Sequence, residues 1–317
     1  MKSGKLLMIL LWLALLGSCS KEKISLVWQE RPLPVSVDCR DIFFEDPLHG
    51  FAVGGKTWNN GYFAETHDGG ITWQADSISP WHLYAISYLP QGRAFVSGFG
   101  GYLKERPAPA SPFSTHNLPY WIPWNDVAYW DEDHGLLVGG QAYQGGKIIR
   151  LNSNNEVIRT DSFTQEISAA TWSSASTVHA VGYGLILRST DGGEHWKINE
   201  VNGDFYRAIS FPTPETGYIA GSGGSILKTT DGGEHWEKLR NGKSLAVSDL
   251  RFRAISFVND QKGYVAGEKG LFWRTTDGGE HWQVVENFPE TDLYAVFATA
   301  QGGWVAGEGG KVYFFED

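Results

Sequence analysis

Along most of this chain, apolar and polar residues alternate in runs of four to six, each run ending at glycine or in a polar turn. A period of two predicts strands with one face buried. No stretch combines a 3.6-residue apolar period with helix start and stop signals, so an all-β protein is expected. The runs also repeat. Tyr206-Arg207-Ala208-Ile209-Ser210-Phe211 through Trp236, Phe252-Arg253-Ala254-Ile255-Ser256-Phe257 through Trp282, and Tyr294-Ala295-Val296-Phe297 through Phe315 can be laid over one another. Each opens with a short strand and continues with Gly-aromatic-apolar-Ala-Gly, as in Gly217 to Gly221, Gly263 to Gly267 and Gly303 to Gly307. The first two then close on Thr-Thr-Asp-Gly-Gly-Glu-His-Trp.

With the central apolar residue of the opening strand as marker, the repeat occurs at Ile42, Ile86, Val127, Ala170, Ile209, Ile255 and Val296, at steps of 44, 41, 43, 39, 46 and 41 residues. One four-stranded unit per step predicts a seven-bladed β-propeller. The seventh repeat stops at Phe315 without a fourth strand, and Ser25-Leu26-Val27-Trp28-Gln29-Glu30 precedes the first marker. The N-terminal strand is therefore expected to complete the last blade, which closes the ring and removes two open edges.

Asp-Gly-Gly turns begin at Asp68, Asp191, Asp231 and Asp277; the gap between the first two is 123 residues, or three times 41, so two intervening blades lack the motif. Blade two carries Arg106-Pro107-Ala108-Pro109-Ala110-Ser111-Pro112, read as an exposed loop, and blade three has Leu151-Asn152-Ser153-Asn154-Asn155-Glu156 in its place. The aspartates are expected to accept N–H groups within their own turns, with the glycines supplying positive φ. The Trp that follows is expected to pack under the hairpin and donate its indole N–H to a backbone carbonyl. His195, His235 and His281 recur beside these turns, but equivalent positions on different blades lie around a circumference. They cannot converge on one metal ion, and are read as surface residues covering the tryptophans.

Composition agrees with many tight turns and aromatic plugs: 39 glycines and 14 tryptophans in 317 residues, without a Gly-X-Y period. A net charge of −10 argues against a nucleic-acid partner. The chain begins with Lys2 and Lys5, an apolar run from Leu6 to Leu16, and Leu16-Gly17-Ser18-Cys19. Eleven apolar residues are too few to span a bilayer core of about 30 Å, so residues 1–18 are read as a cleaved leader. Loss of its two lysines takes the charge from −10 to about −12. Cys39 is then expected as a buried filler, with neither a disulfide nor a cysteine-based metal site.

The ending at Cys19 resembles the bacterial lipobox, which implies lipidation of Cys19, a short tether over 19–24 and a propeller over 25–317. It implies a membrane-anchored protein of the cell envelope facing the periplasm or exterior; Ser20 after the cysteine favours the outer membrane. The Asp-Gly-Gly-x-x-Trp turns match the Asp-box, or BNR repeat. Taken whole, the repeat resembles the Ycf48/HCF136-type seven-bladed propellers, which are photosystem II assembly and stability factors. That family's inner strands carry an arginine patch implicated in binding a client membrane protein. The matching position, two before each marker, holds Arg40, Tyr84, Asn125, Ser168, Arg207, Arg253 and Tyr294. Arg40, Arg207, Arg253, Tyr84, Asn125 and Tyr294 are therefore the candidate partner-binding residues. The expectation is a monomeric, non-enzymatic scaffold for a protein client, with no cofactor and no metal. A sialidase-like glycoside hydrolase is the alternative, since Asp-boxes occur there too. Its Phe/Tyr-Arg-Ile-Pro motif is absent, and Asp41 and Asp126 are the only acidic candidates near the axis. A propeller-type oxidoreductase is set aside because Gly98-Phe99-Gly100-Gly101 lies among strands and opens no helix.

Overall fold

The computed structural model describes residues 22–56, 59–141, 145–242 and 250–317. The expected leader over 1–18 and Cys19 lie outside them. Short strands joined by tight turns fill the described chain, with two 3-10 turns at Glu268–Gly270 and Glu308–Gly310.

Each repeat is an antiparallel meander. Unit one runs Asp38–Phe44, Gly50–Lys56, Asn59–Thr66 and Gln74–Ser79; unit six runs Phe252–Phe257, Gly263–Gly267, Phe272–Thr275 and Gln283–Val285. In units four and five the strands merge. Val178–Ser189 and Lys197–Ser210 each cover two positions of the pattern, and a Tyr183–Phe205 pairing joins both units into one six-stranded sheet. The first strands start at Asp38, Leu83, Asp126, Ile167, Phe205 (inside the merged strand), Phe252 and Leu293. Each touches the next, and the strand from Leu293 touches the one from Asp38, so the innermost strands close a ring.

Closure uses the N-terminal strand. Val27–Glu30 pairs antiparallel with Val312–Glu316, placing Trp28 opposite Phe315, and the Trp28 ring meets Tyr313 edge-on at 5.6 Å. Lys23 and Ile24, expected within a tether over 19–24, are in a strand instead. Lys23–Ile24 add a fifth strand, parallel to Gln283–Val285, on the outer edge of unit six.

The repeated motifs have a common packing logic. The aromatic of Gly-aromatic stacks on the residue two past the marker in the next unit: Tyr218 on Phe257 at 3.5 Å, Trp304 on Phe44 at 3.5 Å, Phe51 on Tyr88 at 4.6 Å. The glycine beside it leaves the slot. A Cβ on Gly263 would collide with the ring of Phe257. The motif's last glycine does a second job: a Cβ on Gly267 would collide with the carbonyl of Arg251, just before the neighbouring first strand. Backbone can approach that closely only because glycine has no side chain. Cys39 is fully buried among the side chains between units one and seven.

Candidate functional site

The close approach at the last glycine accompanies a β-bulge. In six first strands the register shifts around one residue, which is Arg40, Tyr84, Ser168, Arg207, Arg253 or Tyr294. Asn125 holds the seventh equivalent position, just before the strand Asp126–Tyr129. A bulge breaks strict alternation and re-aims a side chain. That is why consecutive residues such as Arg207, Ala208 and Ile209 all face one axial cavity of about 350 Å³. All seven residues two before the markers line this cavity.

The three arginines differ in how far their charge is compensated. Arg40 donates to Asp38 Oδ2 at 2.8 Å and to His82 Nε2 at 3.2 Å, and its guanidinium lies 4.1 Å from the centre of the Tyr294 ring. It therefore ties units seven, one and two together. Burial, and then the charge of Arg40, push the His82 pKa down to about 4, so its ring accepts as a neutral imidazole. Arg253 is ion-paired with Glu268, which Arg251 also approaches at 3.7 Å. Arg207 donates to Ser222 Oγ at 3.0 Å and stacks over Phe205 at 3.6 Å. Among the described residues no carboxylate lies within ion-pair distance of it. Burial, and next the charge of Arg253, lower its pKa to about 10, so it remains a cation at neutral pH. Asn125 donates to the carbonyl of Ile167 at 2.8 Å and to Glu166 at 3.3 Å.

Below the arginines, Asp41 and Asp126 face the same cavity, and both serve as staples. Asp41 accepts from its neighbour Ile42 N at 2.8 Å and, across the seam, from Ile86 N at 2.9 Å. Asp126 does the same with Val127 N at 2.8 Å and Ala170 N at 2.9 Å. Burial pushes both carboxyls up to about 7. At three other seams a serine just past the marker replaces the aspartate: Ser87 accepts from Tyr129 N, Ser210 from Phe257 N and Ser256 from Ala298 N, at 3.0 to 3.2 Å. The Ser of Arg-Ala-Ile-Ser-Phe is thus a blade-to-blade tie.

The cavity's mouth has a defined side. In unit six Phe252 pairs with Gly267 at the mouth end, whereas Gly263 pairs with Phe257 and Thr275 at the far end, where the Asp-box begins. The boxes therefore lie away from the arginines. Their aspartates act as expected: Asp277 Oδ1 accepts from Thr275 Oγ1 at 2.9 Å and from His281 N at 3.0 Å, and Asp68 repeats this with Thr66 and Thr72 N, both at 2.8 Å. Two expectations are corrected. His195, His235 and His281 do not cover the tryptophans; each Nδ1 lies 2.7 to 2.8 Å from the second oxygen of Asp191, Asp231 or Asp277. The indole nitrogens of Trp73, Trp196, Trp236 and Trp282 have no hydrogen-bond partner among the described residues. Three of these rings instead meet a phenyl edge-on, at 5.9 to 6.1 Å for the Phe44–Trp73, Phe211–Trp236 and Phe257–Trp282 pairs. Unit three also keeps more of the turn than its sequence suggests. Asn152 Oδ1 accepts from Glu156 N at 3.0 Å, the same four-residue span that Asp191 makes to His195 N.

One part of the mouth carries a feature the repeat does not reveal. Trp81, Phe99 and Trp121 meet pairwise at 6.0 to 6.3 Å. Trp121 is 62% exposed on the connection into unit three, which fully buried Trp124 anchors. Leu118 N and Trp124 N donate to the carbonyls of Gly101 and Gly98, at 2.7 and 3.0 Å. Trp81 adjoins His82, the partner of Arg40, so the cluster is continuous with the mouth. The signal was the Trp121-Ile122-Pro123-Trp124 run, which breaks the polar pattern of the other connections.

Residues 201–292 match the family described as photosynthesis system II assembly factor YCF48. Among solved structures, YCF48 bound to D1 peptide is 17% identical, with 94% of this chain and 100% of that chain covered at a TM-score of 0.72. YCF48 from Cyanidioschyzon merolae is 18% identical, with 91% and 98% covered at 0.68. The fold reaches further: U3-55K, 8% identical, covers 92% of this chain and 98% of its own at 0.74. A search of curated proteins finds no match in sequence. Repeat and architecture together make this chain a β-propeller similar in fold to YCF48, with the family's sequence match lying over residues 201–292.

Proposed function

We propose that this propeller binds a segment of a protein client at the arginine-lined mouth, as a non-catalytic assembly or stability scaffold. The carrying observation is the repeated bulge, which delivers Arg40, Tyr84, Arg207, Arg253 and Tyr294 to one cavity that Asn125 also lines from the equivalent position. Among the described residues Arg207 is the mouth arginine without an ion pair, with Glu166, Glu268 and Asp204 acting on it only at longer range. It offers an acidic group of the client a charge-assisted hydrogen bond, and Tyr84, Tyr294 and the Trp81–Phe99–Trp121 cluster offer apolar and stacking contact beside it. A propeller of the same fold in complex with a peptide supports this reading. The Asp-boxes are structural, and Asp41 and Asp126 have their oxygens engaged as staples.

In this reading the protein is a monomer, lipidated at Cys19 and held in the cell envelope facing the periplasm or exterior, at the outer membrane in view of Ser20. Photo-crosslinking from a probe replacing Tyr294, in native membranes, followed by mass spectrometry of the adduct, tests the client. The reading expects one dominant protein whose recovery falls at least tenfold when Arg40, Arg207 and Arg253 are all changed to Ala. Equal recovery with the triple variant would remove the mouth from the argument.

A further inference from the structure

The place where the chain enters the ring fixes how the ring meets a membrane. Lys23–Ile24 are clamped to the outer edge of unit six: Val284 N donates to Glu22 O at 2.9 Å, Glu286 N to Ile24 O at 2.8 Å, and Gln283 Nε2 to Glu22 Oε2 at 2.9 Å. Lys23 Nζ lies 2.6 Å from Glu286. Closure of the ring does not require this strand, because Val27–Glu30 alone completes unit seven. Its consequence is positional. Glu22 lies beside Gln283, the residue after Trp282, and Trp282 closes the Asp-box of unit six at the end of the ladder remote from the arginines.

From Glu22 back to Cys19 is three residues, a span of at most about 11 Å when fully extended. Acyl chains on Cys19 would therefore be held within that distance of one point on the rim. A leash so short leaves little orientational freedom, in contrast to the long flexible linkers that let a domain tumble. We infer that the propeller contacts its lipid surface through the outer rim of unit six on the Asp-box side, and that the arginine-lined mouth is held clear of the lipid. The client segment then reaches the mouth through the aqueous phase. This inference rests on lipidation of Cys19 as proposed above.

The test uses the full-length lipidated protein in vesicles of phosphatidylethanolamine and phosphatidylglycerol carrying a headgroup-level doxyl quencher. Cys39 is fully buried and its thiol is pushed up to about 12, so a maleimide dye reports only an introduced cysteine. Glu280→Cys marks the box of unit six, and Glu290→Cys marks the mouth-side connection of the same unit; both positions are exposed. The expected result is at least twofold stronger quenching at position 280 than at 290. Ten Gly/Ser residues inserted between Lys21 and Glu22 should erase the difference while the protein stays on the vesicles. Equal quenching, or stronger quenching at 290, would overturn the orientation. Failure of the lipidated chain to float with vesicles, or flotation undiminished by Cys19→Ala, would overturn the anchor itself and the orientation with it.

Discussion

At the scale of single residues, the mouth shows that one motif position can hold unlike roles. Arg40 and Arg253 have carboxylate partners in Asp38 and Glu268, so removing either arginine leaves a partly buried acid short of its cation. Arg207 has no such partner among the described residues, and burial and then Arg253 oppose its charge more than the distant Glu166, Glu268 and Asp204 favour it. Arg207→Ala should therefore weaken client binding most, by tenfold or more, the range for losing one charge-assisted bond of about 1.5–3 kcal/mol. It should leave the melting temperature unchanged or slightly higher, whereas Arg253→Ala should lower it. Binding and thermal melts on the two variants separate recognition from scaffold; the reverse ranking would reassign Arg207 to the frame. Asp41 and Asp126 give a pH signature. Their pKa is about 7 in the folded chain, against about 3.9 for an unfolded aspartate. Between those values the native state holds protons that the unfolded state has released. Their contribution is full below about pH 4 and is lost as pH rises through about 7. Asp68 and Asp46, held at about 2 by hydrogen bonds in their turns, act in the opposite sense and lose their contribution as pH falls toward that value. Melts should thus decline from pH 5 to 8, and the double variant Asp41→Ala/Asp126→Ala, though less stable throughout, should lose that slope. Parallel profiles would mean the two carboxyls are not enclosed as described.

At the scale of elements, glycine and bulge form one device. The carbonyl of Arg251 occupies the space where a side chain on Gly267 would stand, and the register slips around Arg253 directly opposite. Gly267→Ala should force the first strand of unit six away and move Arg253 off the cavity, with a loss of roughly 2–4 kcal/mol, as for other forced backbone or overpacking changes. Gly309→Ala is the control. Nothing lies near its added methyl, so only the strain of its φ of 68° is felt, about 1 kcal/mol. Comparable melts for the two variants would sink the coupling of glycine to bulge. The repeat made the strands, their order and the ring of equivalent positions legible, because period and spacing depend on the chain alone. It also placed Arg40, Tyr84, Asn125, Arg207, Arg253 and Tyr294 around one axis. What it did not show arises from contacts between repeats. The bulge is a matter of register between strands, and whether an arginine is ion-paired depends on residues such as Glu268 that lie outside the motif. The turn kept by Asn152 without an Asp-Gly-Gly sequence rests on one amide oxygen standing in for a carboxylate. Trp121, which completes the aromatic cluster, sits in a connection that belongs to no repeat.

For the whole molecule, the question is what makes seven similar meanders one cooperative body. Each seam carries a stacked or buried pair, but a ring gains its last seam only if the chain's two ends meet. Here four residues, Val27–Glu30, supply the fourth strand of unit seven, and Arg31 goes on to donate to Gly69 O at 2.6 Å in the Asp-box of unit one. The same short segment therefore closes unit seven and grips its neighbour. A chain starting at residue 32 would lose both and expose the edge of Val312–Glu316, whose buried Tyr313 and Phe315 make it a template for other strands. Such a chain should unfold in more than one step and associate at micromolar concentration. A chain starting at residue 25 lacks only the parallel strand on unit six, and should stay monomeric with a single transition. Sedimentation and thermal melts of the two truncations check this. A monomeric, cooperatively melting chain from residue 32 would show that the seams hold the ring without its N-terminal closure.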